Sequence, residues 1–142
     1  MKLFLDTNIL LDLLLKRAPY DVPASHLFSL ADKGKLQLYV STLTVANANY
    51  SLSKLIGSEK SRALLLEVCV ICSISPMNED ATKKALLSAF NDVEDAMQYH
   101  SAVLAGADII ITRDTKDYKQ SALPVMSASE FLAWYDLNGK KI

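Results

Sequence analysis

Apolar residues recur along this chain with two different periods. Five short segments are predicted to be strands: residues 2–5, 36–40, 72–75, 108–111 and 125–126. Residues 2–5 and 108–111 have the apolar composition of buried strands, and residues 36–40 alternate. Between them, apolar side chains return at helical spacing, as at Ile9, Leu10, Leu13 and Leu14. Strands alternating with helices predict a three-layer α/β/α sandwich in which helices cover both faces of a mostly parallel sheet of about five strands.

Polar residues and glycines indicate where the helices begin and end. A break between Pro19 and Pro23 separates the first two helices, and the second closes near Gly34. The segment 90–94 is predicted to be an acidic loop before a helix over 95–105. That helix is expected to turn Ala96, Tyr99, Val103 and Leu104 inward. The expected caps are Ser41 or Thr42, Ser58, Asn78 and Ser127, the last in a capping box with Glu130.

The composition indicates one soluble domain spanning residues 1–142. Of these residues 51% are hydrophobic, and 15 basic residues nearly balance 16 acidic ones. This balance excludes a strongly basic protein that coats nucleic acid. The N-terminal apolar residues are interrupted by Asp6 and Asp12, unlike a signal peptide, and the uncharged stretch 36–53 is too polar to span a membrane. We therefore expect a cytoplasmic protein with no membrane partner.

Two cysteines form a C-x-x-C pair, Cys69 and Cys72. No second pair and no nearby histidine accompany them, which argues against a structural zinc site. Because they lie among Val68, Val70 and Ile71, the favoured interpretation is two small core residues, and a redox motif is the minor alternative.

Acidic residues cluster in the second half of the chain and at the end of the first predicted strand. Asp6 follows that strand, and Asp114 follows a later one, so a parallel sheet places both at one edge. The remaining members of the cluster are Asp92, Glu94, Asp95 and Asp117. Clustered carboxylates repel each other unless a cation lies among them, and oxygen ligands favour Mg²⁺ or Mn²⁺. Such a site is typical of metal-assisted phosphodiester hydrolysis.

Simpler interpretations exist for single acids. Asp92, Glu94 or Asp95 alone is explained by the favourable field at a helix N-terminus. Four other acids are predicted to be ordinary surface residues: Asp12, Asp21, Asp32 and Asp136. Nucleotide-binding glycine motifs and a G-x-S-x-G elbow are absent, and His26 and His100 are interpreted as structural.

Three segments together resemble the PIN domain family, which includes the VapC-type ribonuclease toxins. They are residues 3–10 (LFLDTNIL), 92–96 (DVEDA) and 111–118 (ITRDTKDY), and their order and spacing match over nearly the whole chain. The resemblance implies a Mg²⁺- or Mn²⁺-dependent ribonuclease that acts on RNA. It assigns metal-site acids to Asp6, Asp95 and Asp114, with Asp117 as a fourth catalytic acid.

The resemblance also implies supporting residues and contains one departure. Asn8 and Thr112 would support the acids by hydrogen bonding, with Glu94 and Asp92 as extra ligands. Where many family members carry a glutamate, this chain has Asn47, an amide without charge. Asn47 therefore predicts weaker metal binding or the loss of a second metal, for which Glu94 would compensate.

Three functions remain open at the level of the sequence. The first is a ribonuclease toxin neutralised by a small antitoxin protein. The second is a PIN-like module that binds RNA or protein without catalysis, and the third is a phosphoacceptor receiver domain. Arg113 and Lys116 are candidate substrate-binding residues. Leu11, Leu15 and Leu65 are predicted to leave apolar surface exposed, which indicates a homodimer or partner interface.

Overall fold

Five parallel strands form one sheet in the computed structural model, which describes residues 1–139. The strands are β1 (Lys2–Leu5), β2 (Gln37–Ser41), β3 (Cys72–Ser75), β4 (Ile109–Ile111) and β5 (Val125–Met126). Their order is β3-β2-β1-β4-β5, and every neighbouring pair is parallel. The predicted fold class is confirmed. The order differs from the 2-1-3-4-5 arrangement of receiver domains, so that alternative is wrong.

Seven α-helices and one 3₁₀ helix connect the strands within residues 1–139. They are α1 (Thr7–Leu14), α2 (Asp21–Asp32), α3 (Thr42–Ile56), α4 (Ser58–Ile71), α5 (Glu79–Leu87), α6 (Val93–Leu104), the 3₁₀ helix (Thr115–Tyr118) and α7 (Ala128–Asn138). The side chains of Ser41, Asn78 and Ser127 cap their helices as predicted. Ser58 does not, because Gly57 at φ 87° turns the chain directly from α3 into α4.

Helices cover both faces of the sheet. Leu3 and Leu5 of β1 point into the larger core, which α1, α2, α3, α4 and α7 close. Phe4, between them, points to the other face and packs with Ile110 and Tyr118. This alternation explains why β1 is apolar throughout.

Several predicted burial patterns are wrong. Leu11 and Leu65 are buried and Leu15 is half-buried, because α1 and α4 each pack against both α2 and α3. Exposed apolar side chains do occur, at other positions such as Leu66 and Val70. Within residues 1–139, no helix combines the length and apolarity needed to cross a membrane.

The C-x-x-C pair is divided between two elements. Cys69 lies on α4 and is exposed, whereas Cys72 begins β3 and is buried. The prediction of two core residues is therefore correct for Cys72 alone. Burial raises the pKa of the Cys72 thiol to about 12, so it stays protonated at neutral pH.

Helix α6 buries a more polar face than its apolar residues suggested. Val103 and Leu104 are 48% and 41% exposed, and the buried positions are Ala96, Gln98, Ser101 and Ala102. The serine at 101 hydrogen-bonds to Ser75 of β3 and to the Pro76 carbonyl oxygen. The polar face of α6 therefore docks on the sheet through hydrogen bonds.

Candidate active site

Asp6 lies at the carboxyl end of β1, where it caps α1. Its carboxylate is 9% exposed and accepts hydrogen bonds from the Thr7 amide at 2.8 Å and the Thr112 hydroxyl at 2.9 Å. Burial raises its pKa, and these hydrogen bonds oppose the rise. The parallel pairing of β1 with β4 brings Thr112, just after β4, to the same edge as Asp6. Asp114 follows two residues later, at the edge where the sequence predicted it.

Asn8 connects Asp114 to this pair. Its amide nitrogen lies 3.2 Å from Asp114 Oδ2 and 3.4 Å from Thr112 Oγ1. The Asp114 backbone amide also donates to Thr112 Oγ1, at 3.1 Å. Asp6, Asn8, Thr112 and Asp114 therefore form one hydrogen-bonded group, although Asp114 itself is exposed.

Gln98 is a site residue that sequence reasoning missed. It is 1% exposed, and its amide nitrogen lies 2.6 Å from Thr44 Oγ1, 3.2 Å from Thr7 Oγ1 and 3.4 Å from Asp6 Oδ1. Its carbonyl oxygen accepts from the Ser41 hydroxyl. In the sequence alone, a neutral amide within a helix does not indicate a catalytic or metal-binding role. Only its spacing from the small residues Ser101 and Ala102 marked the inward face.

The first turn of α6 brings further acids to Asp6. Asp92 caps the helix by accepting from the Asp95 amide at 3.0 Å, so α6 begins earlier than the predicted loop 90–94 allowed. Burial first, then the charges of Asp92, Asp6, Asp117 and Glu94, raise the pKa of Asp95 to about 7. Four neighbouring carboxylates thus add to the effect of burial at Asp95.

Asn47 and Glu94 form a hydrogen bond across the site. Asn47 Nδ2 on α3 donates to Glu94 Oε1 on α6 at 2.8 Å. Burial and the charges of Asp92 and Asp6 raise the pKa of Glu94. The Asn47 amide therefore carries no charge of its own, but it orients Glu94. Glu94 is the carboxylate that was expected to compensate for the missing glutamate at position 47.

Asp12 is not the surface acid that the sequence predicted. It is completely buried, and its carboxylate pairs with Arg113 Nε at 2.8 Å and Arg17 Nη1 at 4.0 Å. The guanidinium of Arg113 lies 4.3 Å from the centre of the Tyr20 ring. The candidate substrate-binding arginine is thus directed to Asp12 and Tyr20.

Tyr118 is packed with Phe4 and Ile110, near the charges of Asp6 and Asp95. It is 2% exposed, and its hydroxyl has no hydrogen-bond partner within residues 1–139. Burial and the charges of Asp6 and Asp95 raise its pKa. The neighbouring Lys116 and Asp117 are exposed and line a cavity of about 90 Å³ together with Asp92 and Asp95.

The donor set fits a hard divalent cation. No three acidic, histidine or cysteine side chains among residues 1–139 are already grouped closely enough to hold an ion by themselves. However, the charges of Asp6 and three further carboxylates act on Asp95, and this repulsion contributes to its raised pKa. A cation relieves such repulsion, and Mg²⁺ typically needs only one or two carboxylates besides water and phosphate oxygens.

Comparison with known proteins gives consistent results. The sequence profile described as PIN domain matches residues 2–116. Ribonuclease VapC1 of Aquifex aeolicus is 30% identical over 138 residues, covering 92% of each chain.

Solved structures share the fold at lower identity. A toxin–antitoxin complex from Klebsiella pneumoniae contains a chain that is 23% identical, with a TM-score of 0.66 over 90% of this chain and 98% of that one. VapBC2 of Rickettsia felis, bound to a DNA fragment from their promoter, contains one that is 18% identical, with a TM-score of 0.67 over 89% and 98%. From the profile match and the VapC1 relative, this chain belongs to the PIN domain family.

Proposed function

We propose that this protein is a Mg²⁺- or Mn²⁺-dependent endoribonuclease and the toxin of a toxin–antitoxin pair. The observation that carries the proposal is the hydrogen-bonded group of Asp6, Asn8, Thr112 and Asp114 at the carboxyl edge of the sheet, where the charge of Asp6 also acts on Asp95. The buried Asp6 carboxylate accepts several hydrogen bonds. Burial and four neighbouring carboxylates raise the pKa of Asp95 to about 7. The 30% identity to ribonuclease VapC1 supports RNA as the substrate.

The proposed roles combine the family resemblance with the contacts described above. Asp6, Asp95 and Asp114 would hold the ion, with Asp117 as a fourth acid and Asp92 and Glu94 as further oxygen donors. When bound, the ion would supply neutralisation of the phosphate and a lowered pKa for the attacking water.

The supporting residues act on the acids. Thr112 and Gln98 fix the orientation of the Asp6 carboxylate, and Asn8 holds Asp114 beside it. Lys116, at the cavity lined by Asp95, is placed to contact substrate phosphate.

A small antitoxin protein is the proposed partner. The support is the fold shared with chains of the Klebsiella and Rickettsia complexes. Self-association is also part of the proposal, supported by Leu66 and Val70 of α4, which are 70% and 86% exposed. Sedimentation of the purified chain alone and with an adjacently encoded small protein tests both partners.

The direct test is cleavage of single-stranded RNA with Mg²⁺ or Mn²⁺ and with EDTA. Wild type and Asp32→Asn, an exposed acid at the end of α2, should both cleave only with the metal. Asp114→Asn should be strongly impaired. Cleavage in EDTA contradicts metal dependence, and undiminished cleavage by Asp114→Asn contradicts the assigned site.

A non-catalytic PIN module is the second candidate, and Asn47 is the observation that favours it. The amide adds no charge and occupies Glu94 in a hydrogen bond. A Mn²⁺ titration separates the two functions. RNA binding without detectable Mn²⁺ binding would support the module and contradict the nuclease.

A further inference from the structure

A second cleft opens beside Asp114 and shares no lining residue with the cavity next to Asp95. It has a volume of about 250 Å³. The end of β4, α1, α2 and the start of α7 contribute its walls, which include Asp12, Tyr20, Arg113, Asp114 and Ser127. Three regions distant in sequence, α1 with α2, the end of β4 and the start of α7, therefore converge next to a proposed catalytic acid.

Arg113 is fixed within this cleft from two sides. Its Nε lies 2.8 Å from Asp12 Oδ2, and its guanidinium lies over the Tyr20 ring at 4.3 Å. An arginine has five N–H donors in a fixed planar arrangement, so contact through Nε leaves the Nη groups for a ligand. The Arg113 side chain keeps 32% of its surface exposed.

Burying the Asp12 carboxylate costs desolvation free energy that packing alone does not offset. Its side chain is 0% exposed, and neither carboxylate oxygen makes a hydrogen bond of good geometry within residues 1–139. Charge pairing with Arg113 and Arg17 is its compensation, and buried ion pairs of this kind are weak sources of stability. Asp12 therefore has a more specific consequence, which is the placement of the Arg113 guanidinium.

We propose that this cleft binds a nucleotide of the RNA strand next to the phosphate that is cleaved. In it, Arg113 contacts the phosphate of that nucleotide, and Asp12 and Tyr20 act as positioning residues for Arg113. This inference rests on the proposed function, since it assigns the cleft to the same RNA substrate. The proposed subsite differs from a general basic surface because RNA binding there requires the buried Asp12, which positions Arg113.

The test measures binding of a fluorescently labelled single-stranded RNA by anisotropy. Ca²⁺ replaces Mn²⁺, and a gel verifies that the strand stays intact. Arg113→Gln should weaken binding about tenfold, the scale of one charge-assisted contact, and reduce the slope of log affinity against log salt by about 0.7. Lys33→Gln removes the same charge from an exposed position after α2 and serves as the matched control.

Asp12→Asn provides the sharper result. Removing a negative charge should favour RNA by simple electrostatics, as in the control Asp32→Asn. The proposal instead predicts weaker binding than wild type, and no additional loss when Asp12→Asn is combined with Arg113→Gln. Mn²⁺ affinity should stay unchanged in all these variants. Should Asp12→Asn fail to fold, Tyr20→Ala, at a 46% exposed residue, tests the same positioning.

Two results would overturn the subsite. One is an affinity and salt slope for Arg113→Gln equal to those of Lys33→Gln. The other is that Asp12→Asn lowers RNA affinity by the same factor in the wild-type background and in the Arg113→Gln background. Cleavage by wild type with either result leaves the ribonuclease standing and removes the subsite. Binding that depends on Arg113, without cleavage in Mn²⁺, removes the ribonuclease and leaves the cleft as an RNA-binding site only.

Discussion

The hydroxyl of Thr112 donates a hydrogen bond of 2.9 Å to Asp6 Oδ2, joining the ends of two adjacent parallel strands. The same oxygen accepts from the Asp114 amide at 3.1 Å. One side chain thus fixes the orientation of Asp6 and the backbone position of Asp114. The sheet, Thr112 and the Asn8 amide that contacts Asp114 therefore set the spacing between the two acids.

Replacing Thr112 with valine keeps the shape of the side chain and removes this hydroxyl. We expect the free energy of unfolding to fall by about 1–3 kcal/mol, because a buried carboxylate and an amide each lose a partner. Mn²⁺ affinity should fall as well, since Asp6 loses its orientation. Urea denaturation and a Mn²⁺ titration measure the two effects. Thr112→Ser, which keeps the hydroxyl, should stay close to wild type in both.

Gln98 is expected to be a stability determinant of the site. Gln98→Leu leaves the hydroxyls of Ser41, Thr44 and Thr7 without this shared partner, at a cost of about 1–3 kcal/mol in the free energy of unfolding. The same substitution at the exposed Gln120 should have little effect. Equal denaturation midpoints for the two variants would show that the buried amide network does not stabilise the fold.

The raised pKa of Asp95 gives the metal-free protein a specific dependence on pH. In the folded state this pKa is about 7, whereas in the unfolded chain it lies near 3.8. Between these values the unfolded state loses the proton first, so the contribution of Asp95 to stability falls as the pH rises and is fully lost above about 7.

Asp95→Asn should therefore raise the melting temperature in EDTA at a pH above 7 and change it little at a pH below 4. Asp32→Asn, at an exposed acid, serves as the control for the loss of one charge. A destabilising effect of Asp95→Asn at the higher pH would contradict the proposed repulsion at the site.

Asn47→Glu restores the charge that many family members carry. We expect tighter Mn²⁺ binding, by several-fold, because the new carboxylate adds a donor near Glu94. The metal-free protein should be less stable, because the amide that donates to Glu94 is replaced by a like charge. Isothermal titration and thermal melting with and without Mn²⁺ separate these opposite effects. Weaker Mn²⁺ binding would show that position 47 is not directed toward the ion.

The period of the apolar residues was sufficient to predict most of the fold. β1, β3 and β5 have the predicted limits. β1 was recognised because a central strand covered on both faces is apolar throughout, and Pro76 marked the end of the edge strand β3. The start of α6 was misplaced because Asp92 caps it, and an acid-rich segment has the composition of a loop. Local capping geometry is only weakly encoded in composition.

The acids of the site were easier to predict than the residues that hold them. Asp6 and Asp114 stand out because they end apolar strands. Asp12 was misjudged because its partner Arg113 is distant in sequence, and burial of an acid depends on that tertiary pair. Gln98 was missed because its role consists of hydrogen bonds that only the folded chain creates.

The most direct test of the account is the rate at which Asp6→Asn cleaves single-stranded RNA at saturating Mn²⁺. Asparagine keeps the size of the side chain and removes the charge at the most buried of the proposed metal-site acids. The account predicts at least about a hundredfold loss relative to wild type, the scale on which a lost electrostatic group slows such reactions. Asp32→Asn should cleave at the wild-type rate. A rate for Asp6→Asn equal to that of wild type would contradict the central claim.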